Sequence, residues 1–172
     1  MIIAYTMTAG HGDTDVLLAR LAKQLKLTGW HTCGVVQINS KTCDDHRCDM
    51  DVKILPEGAT IRISQSLGPL ARGCRLNPSA LEQAVVASQA QLSKGADVLI
   101  VNKFGKHEAE GRGFRGLIAE AVAKGVPVIV GVNAQNLEAF LDFSQGLAIK
   151  VAPDEKEIVT WLGNLAYKTD AA

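Results

Sequence analysis

Residues 1–18, MIIAYTMTAGHGDTDVLL, pass from a short apolar run through a glycine-bearing turn, Thr8-Ala9-Gly10-His11-Gly12-Asp13-Thr14, into an amphipathic segment that starts at Val16-Leu17-Leu18. Strand, glycine turn and helix in that order form the setting of a phosphate-binding loop, whose backbone N–H groups and helix N-terminus cradle an anion. Laid on G-x-x-x-x-G-K-[ST], the second glycine is Gly12 and the hydroxyl is Thr14, whereas Met7 stands at the first glycine and Asp13 at the lysine. A carboxylate at the lysine position repels the phosphates that an ammonium would hold, so ordinary triphosphate hydrolysis by this turn is not expected. Two readings of the turn remain. In one it is a plain βα connection with Asp13 or Thr14 capping the helix; in the other, Thr8, Gly10, His11, Gly12 and Thr14 face a ligand at the carboxyl ends of the strands.

The same alternation continues along the chain. Apolar runs at 1–7, 31–38, 96–102, 126–132 and 147–152 are apolar on both faces, as buried parallel strands are. ATIRISQ at 59–65 alternates apolar and polar residues and predicts an edge or antiparallel strand, paired with DVKIL at 51–55. Amphipathic segments at 13–29, 78–94, 114–124, 135–145 and 154–168 predict helices, with Asn77-Pro78 as an N-cap and first turn, and Gly29, Gly95 and Gly125 at C-terminal positions. Successive βαβ units of this kind predict one three-layer α/β domain over residues 1–172, with a mostly parallel sheet.

At 172 residues the chain has the length of one ordinary domain, and 47% hydrophobic residues are enough for a core without staples. Eighteen basic against eighteen acidic side chains give no net charge, which excludes a general polyanion binder, so neither nucleic acid nor membrane is an expected partner. The opening apolar run lacks a basic flank, and no stretch approaches the ~18 apolar residues of a membrane span. A cytoplasmic protein is expected. The zero balance hides an uneven distribution: Asp44, Asp45, Asp49 and Asp51 gather after the second strand, while basic residues crowd two other segments.

The denser of those two segments is VLIVNKFGKHEAEGRGFR at 98–115, where Lys103, Lys106, His107, Glu108, Glu110, Arg112 and Arg115 follow a buried strand that ends at Asn102. Asn102 occupies the place where a phosphate-loop enzyme carries the aspartate that holds magnesium. The cations can hold an oxyanion or nucleotide phosphates, with Arg112 and Arg115 offering forked donors and Lys103 and Lys106 point charges. In the second segment, Arg72, Cys74 and Arg75 precede a helix N-terminus and can join the same anion site. The alternative for the first is a solvated loop in which Glu108 and Glu110 pair with their basic neighbours.

Four cysteines, Cys33, Cys43, Cys48 and Cys74, suit reduced thiols better than a disulfide framework. Cys43-Asp44-Asp45-His46-Arg47-Cys48 lacks the C-x-x-C spacing of a zinc knuckle and has no second pair downstream, so no metal ligands are assigned. A redox or metal-sensing role for Cys43, Cys48 and Cys74 is a third, separate reading.

NKFGKHEAEGRG, with ISQSLG, GCRLNPSAL and the first turn, resembles a bacterial family of uncharacterised proteins often encoded beside molybdate transport genes, over a span from Ile3 to about Val151. That family is in turn similar, more remotely, to thermophilic P-loop nucleoside triphosphatases. The resemblance implies their fold and matches their pattern at Gly10, Gly12, Thr14, Gly105 and Glu108, but departs from it at Asp13 and at Asn102-Lys103, where they carry acidic residues. Together these features predict a protein that binds a nucleotide or a small oxyanion such as molybdate, with a degenerate phosphate loop. Gly10, Gly12 and Thr14 would supply donors, and Lys103, Lys106, Arg112 and Arg75 the missing positive charge. Should a non-standard hydrolysis occur, Glu108 is the candidate general base. The alternative is a non-catalytic interaction or regulatory module derived from the same fold. No cofactor is assigned, and a homodimer is the expectation from the frequency of twofold assemblies.

Overall fold

In the computed structural model, residues 2–10, 12–39, 49–65 and 75–169 are described. The chain runs β1 (Ile3–Thr6), α1 (Asp13–Leu27), β2 (Thr32–Asn39), β3 (Met50–Ile54), β4 (Thr60–Arg62), α2 (Pro78–Leu92) and β5 (Val98–Phe104). It continues with a four-residue α3 (Lys106–Ala109), then α4 (Arg115–Ala123), β6 (Val128–Val132), α5 (Leu137–Phe143), β7 (Ile149–Lys150) and α6 (Glu155–Thr169). The expected strands and helices all form. The segment 135–145 opens as a 3-10 turn at Ala134–Asn136, where the Asn133 side chain accepts from Asn136 N at 3.0 Å. Helix α3 inside the basic loop has no counterpart in the sequence expectation, because four residues are too few to show a period.

The strands form one sheet in the order β4-β3-β2-β5-β6-β1-β7. From β2 to β7 every pairing is parallel; β3 and β4 extend the sheet as an antiparallel pair, as the alternation in 59–65 predicts. Side chains of the parallel strands alternate between two buried layers. Ala4, Val98, Ile100 and Ile129 meet Leu18, Leu21 and Leu25 of α1 and Ile158 and Leu162 of α6. On the other face Tyr5, Val35, Leu99, Val101 and Val130 meet Leu81 and Ala84 of α2, Leu117 and Ile118 of α4, and Phe140 of α5. Each of the valine, leucine, isoleucine and phenylalanine side chains among them, once fully buried, contributes roughly 1.5–3 kcal/mol, which makes this sandwich a rigid frame for the turns at its carboxyl edge.

Helix punctuation follows the sequence. Asn77 caps α2 by accepting from Ala80 N at 3.2 Å, and Gly29, Gly95 and Gly125 take the left-handed conformation after α1, α2 and α4. Helix α1 departs from the capping alternative: Gly12 is its N-cap, with φ of 84°, and no side chain caps it. Asp13 and Asp15 instead place two negative charges in its first turn, where the helix dipole favours them.

Candidate functional site

At the end of β1, the turn that matches a phosphate loop is occupied from within. Thr8 and Thr14 share a hydroxyl hydrogen bond of 2.7 Å, and the Thr8 hydroxyl also donates to Gly10 O at 3.3 Å. The Asp13 carboxylate folds back onto Gly10, so closely that a β-carbon there would overlap it. The hydroxyl and the charge that a phosphate loop turns toward its ligand are thus engaged within the turn.

In the first turn of α1 lies a residue that the sequence reading does not single out. Asp15 is 2% exposed at the head of the buried stripe Asp15, Leu18, Leu21, Ala22 and Leu25. Its Oδ1 accepts from Asn102 Nδ2 at 2.8 Å, and its two oxygens lie 3.0 and 3.1 Å from Lys103 Nζ. Asn102 Oδ1 accepts from Gln37 N at 2.9 Å, and Lys103 Nζ donates to Gln37 Oε1 at 3.3 Å. The β2–β5 register runs to Val35↔Val101, so the Asn102 side chain takes up a β2 amide just past the end of that ladder. A register shift between β5 and β6 at Val101/Phe104 brackets Asn102 and Lys103, as bulges beside functional sites commonly do. Opposite it, Gly131 is required by close approach, because a β-carbon would run into Asn102 O and Thr14 Cγ2.

Chemistry explains why position 102 is an amide. A neutral amide can donate to Asp15 and accept from Gln37 N at once, whereas a carboxylate would set two anions together in a buried place. Charge is therefore inverted relative to a phosphate-loop hydrolase. Acids stand on the turn and helix, and the cation Lys103 stands on the strand where such enzymes carry acids. The signal in sequence was Asp15 itself, a carboxylate in line with the apolar stripe of α1.

The basic loop after β5 is built around a buried acid. Glu108 is 4% exposed; its Oε2 accepts from Gly105 N at 2.9 Å and its Oε1 from Phe114 N at 3.2 Å. Gly113, at φ of 58°, lies against the same carboxylate and donates its N–H to Glu82 Oε1 at 3.0 Å. These bonds make Glu108 the clasp that closes the loop from Gly105 to Phe114. Arg112 pairs with Glu110, and Lys106 Nζ lies 3.7 Å from the same carboxylate. The bond from Arg112, together with the charge of Lys106, holds the Glu110 carboxyl below the usual carboxylate range. Arg115 is withdrawn from the anion site proposed for it: its guanidinium sits 4.5 Å from the Phe143 ring centroid and donates to Glu108 O at 3.4 Å.

Beside this loop, at the carboxyl ends of β2 and β5, opens a cavity of about 550 Å³. Val35, Val52, Ile63 and Leu81 give it an apolar floor, and Asn102, Lys103, Lys106, His107, Glu108 and Arg112 stand along its polar side. Five predicted residues, Asn102, Lys103, Lys106, Glu108 and Arg112, are thus brought to one place. Thr8, Gly10, Gly12 and Thr14 are not among its described lining residues; Thr14 Cγ2 lies beside Gly131 on the side where Gly131 faces Asn102 O. Arg75 also stands apart from the wall, donating to Gln65 O and to Asp49 Oδ1, each at 3.3 Å. His11, Arg72, Cys43, Cys48 and Cys74 lie outside the described residues.

Among the described residues no group of three or more His, Cys, Asp or Glu converges as a metal site, and no helix is long and apolar enough to cross a membrane. Cys33, buried on β2, has its thiol pushed up to about 12 by burial, which keeps it protonated and inert.

Comparison with known proteins agrees with this architecture. THEP1 from the hyperthermophile Aquifex aeolicus superposes with a TM-score of 0.62 over 96% of each chain at 16% identity. A human cancer-related nucleoside triphosphatase does so with a TM-score of 0.61, over 100% of this chain and 99% of that one, also at 16% identity. In sequence, 149 residues, 87% of this chain, are 35% identical to a region of the molybdenum import ATP-binding protein ModC 2 of Bradyrhizobium diazoefficiens. That region is only 17% of the ModC 2 protein, so the chain spans about a sixth of that relative. The seven-stranded, mostly parallel sheet between two helix layers is the fold that these two structures share with this chain. Residues 3–161 match the family described as protein of unknown function DUF2478, and the chain belongs to that family.

Proposed function

We propose that this chain binds a nucleotide or another oxyanion-bearing small molecule in the cavity beside β5, and that it does so without hydrolysing a triphosphate. The observation that carries the reading is the cavity itself, with Lys103, Lys106 and Arg112 at one side of an apolar floor. It lies where open α/β sheets hold their ligands, outside the carboxyl ends of the strands. Against hydrolysis stand Asp13 at the lysine position, the Thr8–Thr14 hydrogen bond and the amide at position 102. Glu108, as a general base, would have to leave two backbone amides that it now satisfies.

A regulatory role in molybdenum handling is a second reading, favoured by one observation. A region similar to this chain makes up about a sixth of a protein named for molybdenum import and ATP binding. A unit that recurs as a small part of a longer protein fits a sensing module better than a free-standing hydrolase.

Calorimetric titration of the full chain with ATP, GTP, molybdate and tungstate, run beside a phosphate-release assay, tests both statements. Saturable binding of at least one ligand, weakened by Arg112→Ala and without phosphate release, is the expected result. No binding at millimolar concentration overturns the binding reading, and phosphate release abolished by Glu108→Ala overturns the non-hydrolytic one. Binding of molybdate or tungstate in preference to the nucleotides would carry the molybdenum reading.

A further inference from the structure

We propose that the cavity takes an organic monophosphate of nucleoside size, with its body on the floor of Val35, Val52, Ile63 and Leu81 and its phosphate at Lys103, Lys106 and Arg112. The inference rests on the binding reading above and narrows it to one ligand class. Size comes first: about 550 Å³ lies within the ~300–1,000 Å³ of small-molecule sites and exceeds what a bare tetrahedral oxyanion needs.

The segregation of the lining then decides the shape of the ligand. The four floor side chains offer no hydrogen-bond donor, and a hydrated oxyanion loses its water shell there for nothing in return. An apolar or aromatic body gains by the same contact. Among the described lining residues the cations Lys103, Lys106 and Arg112 come from the end of β5 and the loop after it, and the four apolar side chains from β2, β3, α2 and the residue after β4, so a ligand that touches both sets is an anion at one end and apolar at the other.

Charge sets the number of phosphates. The described lining holds Lys103, Lys106 and Arg112 against Glu108 and Glu110, and Asp15 pairs with Lys103 from behind the wall, so little net positive charge is left for a ligand. A monophosphate of about −1.5 to −2 at neutral pH asks less of these few cations than a longer phosphate chain does. A triphosphate brings more charge and depends on magnesium to carry it. Position 102 offers an amide already bonded to Asp15 and to Gln37 N, and the Thr14 hydroxyl is bonded to Thr8. Neither is placed to hold a metal for a polyphosphate chain.

The test is calorimetry on the full chain with adenosine and guanosine monophosphate, adenosine, inorganic phosphate, ATP with magnesium, and molybdate. At least one monophosphate is expected to bind about ten-fold more tightly than adenosine or inorganic phosphate, with ATP and magnesium no tighter than that monophosphate. Arg112→Ala, at a side chain 54% exposed and so neutral for folding, is expected to weaken the monophosphate about five-fold or more and to leave adenosine unchanged. Tighter binding of magnesium ATP or of molybdate overturns the monophosphate assignment and leaves the binding reading standing. Absence of binding by every ligand in the series overturns both.

Discussion

The turn between β1 and α1 and the loop between β5 and α4 are both glycine-bearing connections at the same edge of the sheet, and they dispose of their charges in opposite ways. In the first, Asp13 folds onto Gly10 and Asp15 sinks beneath the helix start, so the anions of the turn take the place of a bound one. In the second, the buried acid Glu108 is held by two amides of its own loop, and the cations stand along a cavity. The difference shows how a phosphate-loop fold can keep its architecture while moving its positive charge from helix to strand. The Asp15–Lys103 pair is the hinge of that exchange, since it joins the filled turn to the open cavity.

The largest way to break the comparison is to give β5 back an acid. Asn102→Asp sets a carboxylate against Asp15 in a place where Asp15 is 2% and Asn102 3% exposed. A buried like-charge contact of this kind is expected to cost about 3–5 kcal/mol in urea denaturation at neutral pH. The exchange Asp15→Asn with Asn102→Asp restores one donor and one acceptor at the same two positions and keeps a carboxylate near Lys103. It is expected to recover more than half of the loss. Failure of the double variant to recover any of it would show that the amide and the carboxylate are not interchangeable partners.

Next in size is Glu108→Ala, which leaves the Gly105 and Phe114 amides without their acceptor and is expected to cost about 2–3 kcal/mol. Glu108→Gln keeps one carbonyl acceptor and should cost roughly half as much. An unchanged unfolding midpoint for Glu108→Ala would remove the clasp and return Glu108 to the list of candidate acids and bases. The glycines give a smaller, differential test. Gly113→Ala must hold a φ of 58° against Leu81 and the fixed carboxylate of Glu108, at a cost of about 1–2 kcal/mol. The nearest group that Gly10→Ala meets is the Asp13 carboxylate, a side chain end that can swing into water, and the variant is expected to stay within about 0.5 kcal/mol. Equal costs at the two glycines would mean that the two turns are not held differently.

Much of the fold was legible because its signals are local. Continuous apolar runs marked the parallel strands, the alternation in 59–65 marked the antiparallel edge, and Asn77 and Gly29 punctuated helices where capping chemistry requires. The basic loop was legible too, since Asn102, Lys103, Lys106, Glu108 and Arg112 do share one cavity. What escaped the sequence is pairing across distance. Asp15 and Asn102 are 87 residues apart, Gln37 and Asn102 65, and no period or motif links them before the sheet brings their strand ends together. Arg115 was misread for a related reason. Nothing in the spacing of 112–115 reveals that Phe143, from α5, lies under one guanidinium and not under the other.

The smallest expected effect bears on how far the second loop is tuned for anions. Glu110 is exposed at the cavity's edge and takes the Arg112 guanidinium and the nearby Lys106 ammonium, cations that otherwise serve the cavity. Because the bond from Arg112 lowers the Glu110 pKa in the folded chain, the pair's contribution to stability is present above the ordinary carboxylate range. It is lost as pH falls through the lowered folded value, a sign that NMR titration of the side-chain carboxyl would check. Glu110→Gln removes the competition at neutral pH. An exposed pair of this kind has modest strength, so the variant should bind monophosphate about two- to five-fold more tightly with its unfolding midpoint unchanged. A weaker affinity in that variant would mean that Glu110 orients Arg112 toward the cavity and does not compete for it, making the acid part of the rim's design.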